Sequence, residues 1–182
     1  MPEYSFKSYY SCAIKERSEM PSKKFIKSCE EMENVLCEET MGFLGLCMDG
    51  VPYVVPLTYA YVEGRILFHC ALKGKKLDYI KANPQVCFTV GKQFEVCRHP
   101  HGVSCRASHD SVICYGAARV IDNMGERREV LNRFNRCLQP DAKEIPIKAV
   151  SKCHAVEIKI TKMTGRRQRK GTEWTHWEYT FE

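Results

Sequence analysis

Gly50-Val51-Pro52-Tyr53-Val54-Val55-Pro56-Leu57-Thr58-Tyr59-Ala60-Tyr61-Val62-Glu63-Gly64-Arg65-Ile66-Leu67-Phe68-His69-Cys70-Ala71 is the stretch on which the fold turns. From Pro52 to Val62 the residues alternate. Tyr53, Val55, Leu57, Tyr59 and Tyr61 fall on one side and Val54, Pro56, Thr58 and Ala60 on the other, which is the period of a β-strand. Glu63-Gly64 turns the chain, and Arg65 to Ala71 reads as the returning strand. Upstream, the apolar run Gly42 to Met48 ends at Asp49-Gly50, a dipeptide that commonly closes a tight hairpin. Consecutive strands joined by short turns make a meander, not the strand–helix–strand unit of a parallel sheet.

Working outward, Lys75 to Ala82 is predicted helical and stops at Asn83-Pro84. Val86 to Val90 and Ser111 to Ile121 read as strands. The intervening Gly91 to Asp110, too long for a simple hairpin, reads as an irregular functional or interface loop. Glu126 to Leu138 places Val130, Leu131, Phe134, Cys137 and Leu138 on one helical stripe, and Val156, Ile158 and Ile160 alternate through a last strand, His154 to Thr161. At the other end, Phe25, Ile26, Cys29, Met32, Val35 and Leu36 fall at helical spacing, predicting an opening helix within Ser22 to Glu39. Six short antiparallel strands with peripheral helices predict a mainly β fold, a small barrel whose closure removes exposed edges. A basic and then aromatic tail, residues 164–182, follows.

The 182 residues, 44% of them hydrophobic, suit a single domain with one ordinary core. Met1 to Tyr10 lacks the apolar run of a signal peptide, and no stretch is long enough to span a bilayer, so a cytoplasmic protein is expected. The 11 cysteines are scattered through apolar segments and odd in number, which fits a reducing compartment better than a disulfide framework. The formal charge of +6 is concentrated at Lys73, Lys75 and Lys76 and at Arg166, Arg167, Arg169 and Lys170, and such clusters suit an anionic partner or a plain solvated surface.

The segment Phe68 to Asp78 runs from a strand through Gly74 into a helix. A helix start already carries partial positive charge, so Lys75 and Lys76 are unfavourable there unless an anion binds. A phosphate resolves the conflict, with Gly74 admitting it close to the backbone; two lysines reaching into water are the plain alternative. Pro56 is the second anomaly, because a proline cannot donate to a ladder and belongs at an edge or bulge. Backbone groups along Val54 to Thr58 are then free to meet the rim of a flat heteroaromatic ring, with Val54 and Leu57 in apolar contact; an edge strand with nothing bound is the alternative.

Cys97, His99, His101, Cys105 and His109 are the residue types that zinc or iron prefers, but their spacing matches no standard finger, and a solvent-facing loop or a lid is expected rather than a metal site. No Gly-x-Gly-x-x-Gly or Gly-Lys-Ser/Thr loop is present, which excludes dinucleotide-fold and nucleotide-hydrolase readings. The basic tail with Trp174 and Trp177 also suits single-stranded nucleic acid, although an exposed basic tail that binds none is the simpler reading.

Gly42-Phe43-Leu44-Gly45, Gly50 to Leu57, Phe68-His69-Cys70-Ala71, Gly74-Lys75-Lys76-Leu77-Asp78, Asn83-Pro84-Gln85-Val86-Cys87-Phe88 and Ser111 to Arg119, in that order, resemble the nitroimidazole-resistance branch of the pyridoxamine 5′-phosphate oxidase-like proteins. The resemblance covers about residues 20–163. It implies a six-stranded antiparallel split β-barrel of Greek-key type, dimerised side by side with two FMN molecules between the subunits. Lys75 and Lys76 then hold the FMN phosphate. Val54, Val55, Pro56, Leu57 and Thr58 line ribityl and ring together with His69, Cys70 and Ala71, and the implied contact set also takes in Gly74, Leu77, Ser111 and Trp174. His69 matches the position near the flavin associated with reductive chemistry. The implied activity is an FMN-dependent oxidoreductase of nitroreductase or flavin-reductase type, with a nicotinamide nucleotide as donor and a small-molecule acceptor. The alternative is an FMN carrier or sensing module without turnover.

Overall fold

A computed structural model describes residues 24–26, 28–98, 105–168 and 174–180. One sheet of nine strands organises them, with hydrogen-bonded order β1-β9-β8-β7-β6-β2-β3 and a branch in which β5 pairs with both β4 and β8. These strands are β1 (Lys24–Ile26), β2 (Met41–Met48), β3 (Val51–Thr58), β4 (Ala60–Val62), β5 (Arg65–Cys70), β6 (Gln85–Arg98), β7 (Cys105–Ile121), β8 (His154–Gln168) and β9 (Trp174–Thr180). The helices are α1 (Cys29–Glu38), α2 (Lys75–Ala82), α3 (Met124–Leu138) and the single turn α4 (Ile147–Val150). Most pairings are antiparallel, and β1 with β9 is parallel.

Both predicted hairpin turns are present. Asp49 and Gly50, then Glu63 and Gly64, take left-handed φ values of 52°, 76°, 47° and 76°, the backbone of a two-residue turn whose twist matches its strands. The predicted strand Pro52–Val62 is divided at Tyr59. There the chain bends, with the Tyr59 amide bonding to the Thr40 carbonyl at 3.1 Å and its hydroxyl donating to the Leu36 carbonyl at 2.8 Å. Its ring lies edge-on to Phe88, with centroids 4.9 Å apart. Burial holds the Tyr59 phenol far above its usual pKa, so it stays a neutral donor. The chain passes from β3, beside β2, to β4, beside β5, through this residue, so continuity at this point is covalent.

The architecture expected from sequence is therefore corrected in four places. The described residues form nine strands rather than six, and among them the ladder is not closed, because β1 and β3 are its two ends. Gly91 to Asp110 is not an irregular loop where it is described. It forms the arms of a long hairpin, β6 and β7, paired from Gln85↔Ala117 to Arg98↔Cys105 with an irregularity between Gln93 and Glu95. Backbone pairing satisfies N–H and C=O groups whatever the side chains, so polar residues such as Lys92 and His109 hide the strand from a search for apolar alternation. The opening helix is shorter than Ser22–Glu39 and begins at Cys29, where the Ser28 hydroxyl accepts from the Glu31 amide at 3.2 Å; β1 precedes it. Finally, the last predicted strand continues to Gln168, and β9 follows it.

Two apolar clusters lie on opposite faces of the sheet. Leu44, Phe88, Val112, Val156, Ile158 and Met163 meet inside the curve, where α1 and α2 add Leu36 and Leu77. On the outer face, Val130, Leu131 and Phe134 of α3 cover Leu67, Ile121 and Ala155. Among the described residues no helix covers the outer face beyond α3.

Candidate functional site

The start of α2 is built by its sequence to be bare. Gly74 stands at the N-cap with φ 143° and ψ 160°, in a region that essentially only glycine occupies, and no side chain caps the helix. Its carbonyl accepts from the amides of Leu77 and Asp78 at 2.9 and 3.3 Å. A helix geometry gives the amides of Lys75 and Lys76 no acceptor within the helix. A Cβ added at Gly74 would meet nothing within 4 Å, so the approach to these amides is open.

Two cations flank that approach. The Lys75 ammonium lies 4.7 Å from the centroid of the Tyr53 ring and 5.4 Å from that of Tyr79, while that of Lys76 lies 5.3 Å from Phe68. Tyr53 and Tyr79 are themselves in contact, with centroids 5.3 Å apart. Neither lysine forms an ion pair among the described residues. Asp78 is the one acid in the first turn of the helix, and among the described residues no carboxylate is paired with either ammonium group.

Strand β3 supplies the neighbouring wall. Among the described residues it pairs with β2 alone, which makes it an edge strand, the place where Pro56 is tolerated. Val54, Pro56 and Thr58 are exposed on its outer side, whereas Val55 and Leu57 are half-buried against the core. The two apolar contacts expected from Val54 and Leu57 therefore lie on opposite faces. On the outer face, Val54 stands opposite Gly45, Pro56 opposite Phe43 and Thr58 opposite Met41, and the register continues from Gly45 to Cys87 and Tyr115. Val54 is 62% exposed, Met41 58%, Tyr115 43% and Phe43 41%, an uncovered apolar surface.

The remaining expected residues are spread out. Ala71 is exposed in the loop that leads to Gly74, and Leu77 is buried in the core. Cys70 is half-buried toward the inner cluster. Burial pushes its thiol pKa up, the nearby Lys76 acts in the opposite direction, and Cys153 adds to the rise. His69 is exposed on the outer face, edge-on to Phe134 of α3 with centroids 5.2 Å apart, away from the inner side where Phe68 meets Lys76. Ser111 lies on β7 opposite Gly91 and Arg166, and β6 and β2 separate it from β3. The Trp174 side chain lies outside the described residues, as do His99, His101 and the side chains of Cys97 and Cys105. Among the described residues no group of three or more His, Cys, Asp or Glu is arranged to hold a metal ion. In the basic tail, Arg167 is engaged by Asp110 through two bonds of 3.0 and 3.1 Å, which argues against a free nucleic-acid surface there.

Reasoning from sequence missed Tyr53, Tyr79 and Phe68 as supports of the lysines. Tyr79 carried a local signal, since it follows Lys75 by one helical turn; Tyr53 carried none.

A family model described as pyridoxamine 5′-phosphate oxidase matches residues 28–167, and the chain belongs to that family. Among solved structures, the fold is similar to that of a protein assigned to 5-nitroimidazole antibiotic resistance from Bacteroides thetaiotaomicron VPI-5482, with 25% identity over 77% of this chain and 84% of that one and a TM-score of 0.68. It also shares its fold with the flavocytochrome Anf3 of Azotobacter vinelandii, at 16% identity over 86% of this chain and 80% of that one, TM-score 0.70. An FAD-binding protein of Mesorhizobium loti shares it too, at 23% identity over 79% and 95% of the two chains, TM-score 0.61. In sequence, the uncharacterized protein RA0666 of Rhizobium meliloti (strain 1021) is 33% identical over 67 residues, 37% of this chain; the match spans 44% of that protein's length.

Proposed function

We propose that this chain is a homodimeric FMN-binding oxidoreductase that reduces a small acceptor, in the manner of a nitroreductase or flavin reductase. One observation carries the reading: the helix start at Gly74 has no side-chain cap and is flanked by two ammonium groups that form no ion pair among the described residues. The donor set fits a terminal phosphate, since it offers open amides, a glycine that leaves room and two cations. Lys75 and Lys76 would hold the phosphate. The outer rim of β3 would meet the flat ring with main-chain groups along Val54 to Thr58. The solved relatives described as a flavocytochrome and as FAD-binding support a flavin in particular.

The uncovered outer face supports a second copy of the chain as the dimer partner. Two strands separate Ser111 from β3 of its own chain, and it would act on the site of the other copy. A bound flavin would supply hydride or electron transfer from a nicotinamide nucleotide to the acceptor. His69 would donate or orient a proton near the ring. A cytoplasmic setting is part of the proposal. The eight cysteines whose side chains are described are free, and among the described residues no helix is long and apolar enough to cross a membrane.

The position of His69 favours a second reading. Leaning on Phe134, it does not join the lysine cluster, as suits a flavin carrier or sensing module without turnover. Stopped-flow reduction by a nicotinamide nucleotide, with and without a nitroaromatic acceptor, separates the two readings. The cofactor itself is tested by releasing the small molecule from purified protein and weighing it. The mass of FMN and a flavin absorbance spectrum are expected; a colourless protein that takes up no added FMN overturns the proposal.

A further inference from the structure

We propose that Tyr53 and Tyr79 are positioning residues that fix the Lys75 ammonium for an anion without neutralising it, an inference that rests on the phosphate reading above. A surface lysine carries four rotatable bonds and loses side-chain entropy when it is held in one place. The usual anchor is a carboxylate, which cancels the charge that an incoming phosphate needs. Here the anchor is a pair of ring faces, 4.7 and 5.4 Å from the nitrogen. A ring quadrupole attracts the cation but bears no net charge, so the full positive charge stays available.

The pair is itself well founded. Tyr79 is 3% exposed and packs in the core, on the helix turn that follows Lys75. Tyr53 comes from β3, where it sits opposite Leu46 and is tilted 56° against the Tyr79 ring. A strand and a helix distant in sequence thereby meet on one nitrogen. This couples the lysine to β3, the same strand whose outer rim is proposed to meet the ring of the ligand.

The test compares FMN with riboflavin, which has the same ring and lacks the phosphate, by titration in wild type, Tyr53→Leu, Tyr79→Leu and the two Tyr→Phe variants. A cation–ring contact of this kind corresponds to about a two- to fivefold change in affinity. Each leucine variant is expected to weaken FMN by that factor and to leave riboflavin unchanged. The phenylalanine variants, which keep the ring, should bind FMN as the wild type does. In a Lys75→Ala background the leucine substitutions should add nothing. Thermal unfolding checks that each variant is folded, and Tyr53, only half-buried, keeps the test available should Tyr79→Leu fail to fold. Unchanged FMN affinity in a folded Tyr53→Leu, an equal loss of riboflavin, or an additive loss beside Lys75→Ala would overturn the inference alone. A wild-type protein that binds no flavin at all would overturn the phosphate reading and this inference with it.

Discussion

The charges at the start of α2 and those between the sheet and α3 are handled in opposite ways. Beside α3, the Glu157 carboxylate, its side chain 11% exposed, accepts from Arg65 at 3.1 Å and from Arg119 at 3.2 Å, while Arg119 also reaches Glu126 at 2.6 Å. Arg119 in turn holds the Glu126 carboxyl below its usual pKa. Every one of these charges has a counter-charge. At α2, two lysines crowd the start of a helix whose first turn holds Asp78, and their ammonium groups lie over aromatic rings with no ion pair among the described residues. Where charge serves the fold it is cancelled locally; beside Gly74 no carboxylate of the described residues pairs with either lysine.

A charge placed on the open outer face should have the largest effect. Val54→Glu would bury an unpaired carboxylate in the proposed interface, at roughly 3–5 kcal/mol per copy. Sedimentation is expected to find dimers of the wild type, as proposed, and monomers of the variant; variant dimers that persist would rule this face out. Next comes the pair of lysines. Each charge-assisted contact to phosphate is worth roughly 1.5–3 kcal/mol, so Lys75→Ala with Lys76→Ala should weaken FMN by about a hundredfold or more in a fluorescence titration. A change within twofold removes the phosphate role.

Gly74→Ala asks how much of the site is backbone. No atom obstructs the new Cβ, so its cost is conformational, about 1–3 kcal/mol in urea unfolding. A stability equal to wild type would show that the φ of 143° is not required. On the paired side, Glu157→Gln should cost roughly 1 kcal/mol of stability and leave FMN affinity alone. A matching loss of affinity would erase the distinction between the two regions.

The smallest effect concerns His154, whose Nδ1 is buried without a hydrogen-bond partner. Burial first, then Arg127 and Lys81, lower its pKa from the usual 6.5, and Asp122 opposes them. The unfolded chain therefore takes up the proton first. Stability is full above about 6.5 and declines as pH falls toward the folded value. Urea midpoints measured across that interval should slope in the wild type and flatten in His154→Gln; parallel curves would leave the histidine without this role.

Local chemistry made much of this legible in advance. The Asp49-Gly50 and Glu63-Gly64 turns and the helix stop at Asn83-Pro84 are written in neighbouring residues, and each is where the sequence puts it. The start of α1 was equally legible in Ser28 and Glu31, but apolar spacing alone carried the helix too far, into residues that form β1. The arms of the β6–β7 hairpin were not legible, because a ladder between polar strands leaves no hydrophobic period. Within the site, the anomaly of Gly74, Lys75 and Lys76 was visible because it lies in three consecutive residues. The seat of Lys75 on Tyr53 was not.

Alternation, turn dipeptides and helix-end signals act over a few residues, and by themselves they determined a β-rich fold, its main hairpins and a helix start with surplus positive charge. Tertiary structure alone decided that β3 is an open edge, that Val54 and Tyr115 share one uncovered face, that His69 leans on α3, and which rings receive the two ammonium groups. Those facts depend on which distant strands become neighbours. Burial of the whole apolar surface selects that pairing, and no short segment contains it.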